Sequence, residues 1–200
     1  MHKNLISVIV PVYNEQDNIV RSYEAITAEF ARMDDTELEL IYTDNHSTDA
    51  TFERLSELAR RDDRVKVIRF ARNFGFNRSI LTGYRYARGD AAIQIDCDLE
   101  DPPHVFHDFL RLWRLGHDVV IGLRAQRREG WLMVVLRKAF YRFLDRISDT
   151  PHQTDAGDFR LVDRRILDQL RQIEDAQPYV RGLISELAYN QTGVSYQRNA

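Results

Sequence analysis

LISVIVPVYNE, residues 5–15, sets a nearly continuous β-branched apolar run against a short polar tail. A strand with one wet face alternates apolar and polar side chains. This run leaves no polar face, so it must be covered on both sides, as in a parallel sheet between layers of helices. The tail PVYNE has no glycine, which excludes the Gly-rich phosphate turns of P-loop and dinucleotide-binding folds. The segment could pass for a secretory signal, but its apolar part is short and broken by Pro11, and no small-residue cleavage site follows. It reads as a first buried strand.

The pattern repeats along the chain. LELIYT (38–43), VKVIRF (65–70), AAIQID (91–96) and DVVIGL (118–123) read as further strands. Segments near 16–32, 49–61, 76–88 and 104–115 carry helical spacing, for example Leu55, Leu58 and Ala59. Strand–helix alternation predicts an α/β fold with a mostly parallel sheet covered on both faces. TDAGDFRLVDRR (154–165) predicts a short acidic loop and a strand, with helices following near 163–172 and 179–188. Two hundred residues, 44% apolar and 30% charged with net charge −3, without repeat or linker, fit one soluble globular domain. The single cysteine, Cys97, excludes an internal disulfide and suits a reducing compartment. No run of 18 apolar residues occurs, so no membrane-spanning helix is expected.

In parallel sheets ligands bind outside the carboxyl ends of the strands. The five post-strand loops are PVYNE (11–15), TDNHSTD (43–49), ARNFGFNRS (71–79), DCDLEDPP (96–103) and GLRAQRR (122–128), all polar. Singly, each is ordinary turn chemistry, with Asp49 as a partial helix cap and Asn73–Gly75 as a turn. Together on one edge they predict a shared ligand site. The fourth loop holds four carboxylates in six residues, Asp96, Asp98, Glu100 and Asp101. Like charges about 4 Å apart repel by roughly 1 kcal/mol even in water. Asp96 and Asp98, one residue apart in extended chain, point the same way and suit Mg²⁺ or Mn²⁺. Glu100 and Asp101 read as facing outward before a helix started by Pro102–Pro103, and Cys97 as packing between the two ligands. The nucleophile elbow G-x-S-x-G is absent. The six histidines form no zinc pattern. An aspartyl-phosphate phosphatase would carry its D-x-D after the first strand.

Charge is uneven. Arg124 to Arg146 holds seven basic residues against two acids, a local +5 in an otherwise acidic chain, so an anionic partner is sought there. WLMVVLRKAFYRFLDRI (131–147) predicts a helix with an aromatic–aliphatic side and cations between. It reads equally as a helix docked on the core and as one lying in a membrane interface.

VPVYNE (10–15), TDNHSTD (43–49), RNFG (72–75), ARGD (87–90), DCDLEDPP (96–103) and GDFRL (157–161) follow in an order and spacing that resemble family 2 glycosyltransferases of the GT-A fold. The resemblance is nearer still to the polyprenyl-phosphate group, the dolichol-phosphate mannose synthases and bactoprenol glucosyltransferases. It implies a metal-dependent, inverting transfer of a sugar from a UDP- or GDP-sugar to a polyprenyl phosphate, with Mg²⁺ or Mn²⁺ as cofactor. Pro11, Tyr13, Asn14 and Glu15 would frame base and ribose, Asp44 would bond the base, and Arg72 would approach ribose and diphosphate. Asp96 and Asp98 would hold the metal. Asp158, Asp98 and Arg160 would be the catalytic set, and Arg124, Arg127 and Arg128 would meet the acceptor phosphate. Residues 1–123 would form the nucleotide-sugar half and 124–200 the acceptor-binding, membrane-proximal part of one catalytic domain. Such a protein would work peripherally on the cytoplasmic face of a membrane, with no nucleic-acid partner; a homo-oligomer is left open. Two departures stand out: Asp44-Asn45-His46 replaces the usual D-D-G/S, and the chain ends at VSYQRNA (194–200) without the further basic stretch of relatives. The second suggests either a shortened chain or a form that docks peripherally. A saccharide or other hydroxyl acceptor, with Asp158 or Asp155 as base, and a degenerate sugar-nucleotide-binding subunit are the competing readings.

Overall fold

The computed structural model describes residues 3–125, 156–175 and 177–199. Seven strands make one sheet: β1 (Asn4–Val12), β2 (Thr36–Asp44), β3 (Val65–Arg69), β4 (Ala91–Gln94), β5 (Val119–Arg124), β6 (Ala156–Asp163) and β7 (Gln191–Tyr196). The helices are α1 (Ile19–Phe30), α2 (Thr51–Arg61), α3 (Phe76–Tyr86), α4 (Phe106–Arg114), α5 (Arg164–Leu170) and α6 (Val180–Leu187). A single 3-10 turn, Pro103–Val105, leads into α4, as the paired prolines predict.

The strand order is β3-β2-β1-β4-β6-β5-β7. The first four are mutually parallel, as the buried runs require. β6 lies antiparallel between β4 and β5, and β7 runs parallel to β5. The sheet is therefore mixed though mostly parallel. Because β6 is reversed, its first residues lie on the same edge as the carboxyl ends of its neighbours, which brings the GDFRL segment to the predicted site.

Alternation along the strands fills two cores. Val8 and Val10 of β1 face one side with Tyr42, Phe106 and Phe159, against α1, α2 and α4. Ile9 faces the other with Ile41, Ile80 and Leu167, against α3, α5 and α6. Each such side chain, fully buried, contributes about 1.5–3 kcal/mol.

The ARGD segment sits at the opposite edge, before β4. Arg88 donates through Nε and its backbone N to the buried Glu39, at 2.6 and 2.8 Å, and Ser7 Oγ donates at 2.6 Å. Burial pushes the Glu39 carboxyl up, but Ser7 and Arg88 outweigh it and hold it below the usual range. A Cβ on Gly89 would stand 2.6 Å from Ser7 N and 2.7 Å from Leu5 O, so only glycine passes there. ARGD is thus a staple of the sheet. Among the described residues, no helix is long and apolar enough to cross a membrane.

Candidate active site

A cleft of about 390 Å³ opens at the carboxyl ends of β1, β2 and β4. The loop after β1 supplies Pro11, Tyr13 and Glu15, the loop after β2 supplies Asn45, and the turn into α3 supplies Asn73, Gly75 and Phe76. Asp96, Cys97 and Asp98 close it from β4. Tyr13 and Phe76 stay 46% and 44% exposed, leaving two aromatic faces at the mouth. Three non-glycine residues adopt left-handed backbone, Asn14 (φ 56), His46 (φ 66) and Leu99 (φ 57), one in each loop leaving β1, β2 and β4. Such conformations cost of order 1–3 kcal/mol each and persist where surrounding bonds over-determine them. Those bonds are present: Asn14 N donates to Ser47 Oγ at 3.0 Å, and Asn14 Oδ1 accepts from Thr48 N at 2.8 Å. Gly75 N donates to Asn73 Oδ1 at 2.9 Å, the expected turn.

Of the residues read as nucleotide-sugar contacts, Pro11, Tyr13, Glu15, Asp96 and Asp98 line this cleft. Asn14 instead stitches the first two loops together. Asp44 lies fully buried behind the wall, one oxygen accepting from Ser47 N at 2.9 Å and the other 3.4 Å from Arg69 Nε. Arg72 is exposed and rests its guanidinium 4.8 Å from the centre of the Phe74 ring. Asn45 takes the wall position, its Oδ1 accepting from Phe74 N at 2.8 Å. Arg127, Arg128, Asp155 and the 131–147 helix lie outside the described residues.

The carboxylates on the cleft wall are Glu15, Asp96 and Asp98, and no lysine, arginine or histidine lines it. Burial first, then the charges of Asp101, Asp98 and Asp158, push the Asp96 carboxyl up to about 6. Gln94 Nε2, fully buried, donates to Asp96 Oδ1 at 3.0 Å and fixes its rotamer. Cys97 is buried in the core against Ser22, as read, and burial pushes its thiol up to about 12.

The outward orientation expected for Asp101 is wrong. Its carboxylate is 1% exposed and accepts from Tyr196 Oη at 2.5 Å, Arg198 Nε at 3.1 Å and Arg124 Nη2 at 3.4 Å. A buried carboxylate needs such donors, and the donors come from the ends of β5 and β7. Glu100 does face solvent, paired with Arg198. Asn199 adds bonds from its backbone N to Glu100 O and from its amide to Leu99 O, both 3.0 Å. Arg124, read as an acceptor contact, here helps hold the aspartate loop.

At the start of β6, Asp158 and Arg160 stand on the same face of the strand. Arg160 pairs in register with Gln94 and is 4% exposed; burial lowers its guanidinium below the ordinary value, and Nη2 donates to Gly157 O at 2.9 Å. Asp158 is held by a residue the sequence did not single out. Arg181 of α6 donates through Nε and Nη2 to its two oxygens, each at 2.7 Å. Nothing in the local sequence marks Arg181, because only the packing of α6 against α3 and α5 brings it here.

An α/β sheet with an acidic cleft at its strand ends and a reversed sixth strand beside it defines a nucleotide-sugar transferase architecture, and the chain belongs to glycosyl transferase family 2, whose profile matches residues 7–171. It is 38% identical over 196 residues to YkcC of Bacillus subtilis, an uncharacterized glycosyltransferase, covering 96% of this chain and 60% of that protein. It is 32% identical over 194 residues to the bactoprenol glucosyl transferase of Shigella phage SfV, covering 96% and 63%. The chain thus spans about three fifths of the length of these curated relatives. Among solved structures, the mannosyltransferase PcManGT of Pyrobaculum calidifontis, in complex with GDP-Man and Mn²⁺, superposes with a TM-score of 0.65 at 18% identity, over 98% of this chain and 56% of that one. Residues 1–349 of TarS from S. aureus give 0.60 at 18% identity, over 99% and 59%. These confirm the GT-A fold.

Proposed function

We propose that this chain carries the catalytic site of a glycosyltransferase that moves a sugar from a UDP- or GDP-sugar to a polyprenyl phosphate. Residues 1–123 would bind the donor and 124–200 the acceptor, at the cytoplasmic surface of a membrane. The observation that carries the reading is the cleft's charge: Glu15, Asp96 and Asp98, with no lysine or arginine among the lining residues. A diphosphate entering such a cleft needs a cation between itself and the carboxylates. Asp96 and Asp98 fit a hard divalent ion in residue type and spacing. Among the described residues no third His, Cys, Asp or Glu converges on them, so the donor's oxygens and water would complete its shell. A divalent ion held there would neutralise charge growing on the departing diphosphate.

The acceptor assignment draws on the likeness to bactoprenol glucosyl transferases and on the basic 124–146 segment. A phosphate monoester has its second pKa near about 6, so its oxygen arrives already anionic and needs no strong base. The new bond forms from that oxygen to the anomeric carbon as the bond to the diphosphate breaks, and the nucleoside diphosphate leaves with the electron pair. Single displacement inverts the anomeric centre.

The test is transfer of label from UDP- or GDP-sugars to undecaprenyl phosphate in vesicles with Mn²⁺ or Mg²⁺. Label is expected in the lipid fraction with inverted configuration and is lost on chelation. Label only in a saccharide product, a retained configuration, or no sugar-nucleotide binding with metal would each overturn the proposal. Arg127→Glu with Arg128→Glu is expected to weaken vesicle binding; unchanged binding would remove the basic segment from the acceptor side.

A further inference from the structure

Arg181 meets Asp158 side-on. The contact uses Nε–H and one proton of Nη2, each at 2.7 Å from a carboxylate oxygen. A guanidinium carries five N–H donors in a rigid fork. The second Nη2 proton and one Nη1 proton form the end-on edge, and among the described residues Nη1 has no hydrogen-bond partner. The exposures give this a direction. The Asp158 side chain is 12% exposed and that of Arg181 45%, so the carboxylate lies inward and the guanidinium is the partner that reaches solvent. The strand register sets Asp158 beside the cleft: β6 runs antiparallel to β4 with Arg160 opposite Gln94, so Asp158, two residues earlier, lies toward Asp96, two residues later. Arg160, buried on the same strand face, pairs with no carboxylate among the described residues, so the group of Asp158, Arg160 and Arg181 carries a net positive charge.

We infer that Asp158 is a positioning residue for Arg181, and that the outward edge of the Arg181 fork receives the acceptor's phosphate. This rests on the lipid-phosphate reading above. One guanidinium can bridge two anions, side-on to a fixed carboxylate and end-on to an arriving phosphate. Asp158 then sets the plane of the fork before the acceptor arrives and removes no proton. None need be removed, since the acceptor oxygen is already ionised. Arg124, committed to Asp101, is replaced at the reacting centre by a residue from the far end of the chain.

The experiment compares Arg181→Ala, Arg181→Lys, Asp158→Asn and the double variant Arg181→Ala/Asp158→Asn, each with thermal midpoints taken. Arg181→Ala is expected to raise the KM for undecaprenyl phosphate tenfold or more. Calorimetric binding of the sugar nucleotide with Mn²⁺ should stay within twofold of wild type. Arg181→Lys should recover only part of the loss, because a lysine cannot present two forked edges. Asp158→Asn should raise the same KM less, and the double variant should be no worse than Arg181→Ala, since one residue works through the other. Added guanidinium ion should partly restore Arg181→Ala, which a general loss of folding would not allow. An unchanged acceptor KM in Arg181→Ala, or a hundredfold fall in kcat at saturating acceptor in Asp158→Asn with KM unchanged, overturns the inference while leaving the lipid-phosphate reading standing. A wild type that transfers nothing to the lipid phosphate overturns both.

Discussion

Asp98 is exposed, and the hydrogen bond it makes is to the backbone N of Glu100 at 3.0 Å. Asp98→Asn is therefore expected to leave the thermal midpoint within about 2 °C. If Asp98 is one of the proposed metal ligands, turnover should fall on the order of 100-fold. Wild-type rates in that variant would remove Asp98 from the metal. Burial, with the neighbouring carboxylates, raises the Asp96 carboxyl to about 6, so the fold favours its protonated form relative to the unfolded chain. That contribution to stability is complete below the ordinary carboxylate value of about 4 and is lost as pH rises through 6. A cation favours the charged form, so apparent metal affinity should climb between about pH 5 and 7, releasing a proton on binding. Melting curves at pH 5 and pH 7, with and without Mn²⁺, test both signs. That Asp96 and Asp98 would sit together at the strand-end cleft was legible because both residues and their spacing are local. Asp101 was not, since Tyr196, Arg198 and Arg124, the donors that let it be buried, lie far away in sequence. Tyr196→Phe removes one of those donors and keeps the ring against Phe159, 5.4 Å between centres; it should cost about 1–3 kcal/mol by chemical denaturation.

Five strands and their alternating helices were readable because buried parallel strands are continuous β-branched runs that few other structures need. β7 was missed for the opposite reason. QTGVSY carries Val194 and Tyr196 toward the core but has Gly193 in its middle, where a Cβ would lie 2.5 Å from Leu123 Cδ1. Its pairing with β5 makes it a strand, and pairing is not a local property. The turn into β4 shows the same dependence on neighbours. Gly89 passes so close to the backbone of β1 that Gly89→Ala should cost about 1–3 kcal/mol, with no effect on metal affinity in the remaining folded protein. Equal stability of the two proteins would show that β1 and the turn can move apart, and that the ARGD staple is looser than its distances say.

At the scale of the whole molecule, no local pattern signals that β6 enters between β4 and β5. Strand order follows from which faces and edges must be covered, and a strand at 156–163 could equally have joined an outer edge. The consequence for dissection is direct. In the full chain β5 pairs with β6 and β7, and β4 pairs with β1 and β6. A fragment of residues 1–123 would leave β5 with no strand beside it and β4 with a bare edge, an invitation to aggregate. It is expected to elute as aggregate and to melt without a cooperative transition; a monomeric, cooperatively melting fragment would show that the first half folds alone. The reversed strand also sets a schedule. On the ribosome, β3-β2-β1-β4 can pair as soon as residue 94 has emerged, but β5 must wait until residues 156–163 have been made, a few seconds at about 5–20 residues per second. The seam that waits longest joins Gln94 to Arg160 and carries Asp158 beside Asp96. The aspartate loop and Asp158 are thus brought together late in synthesis, so a nascent chain can hold the half-sheet and the cleft lining before β6 closes beside them.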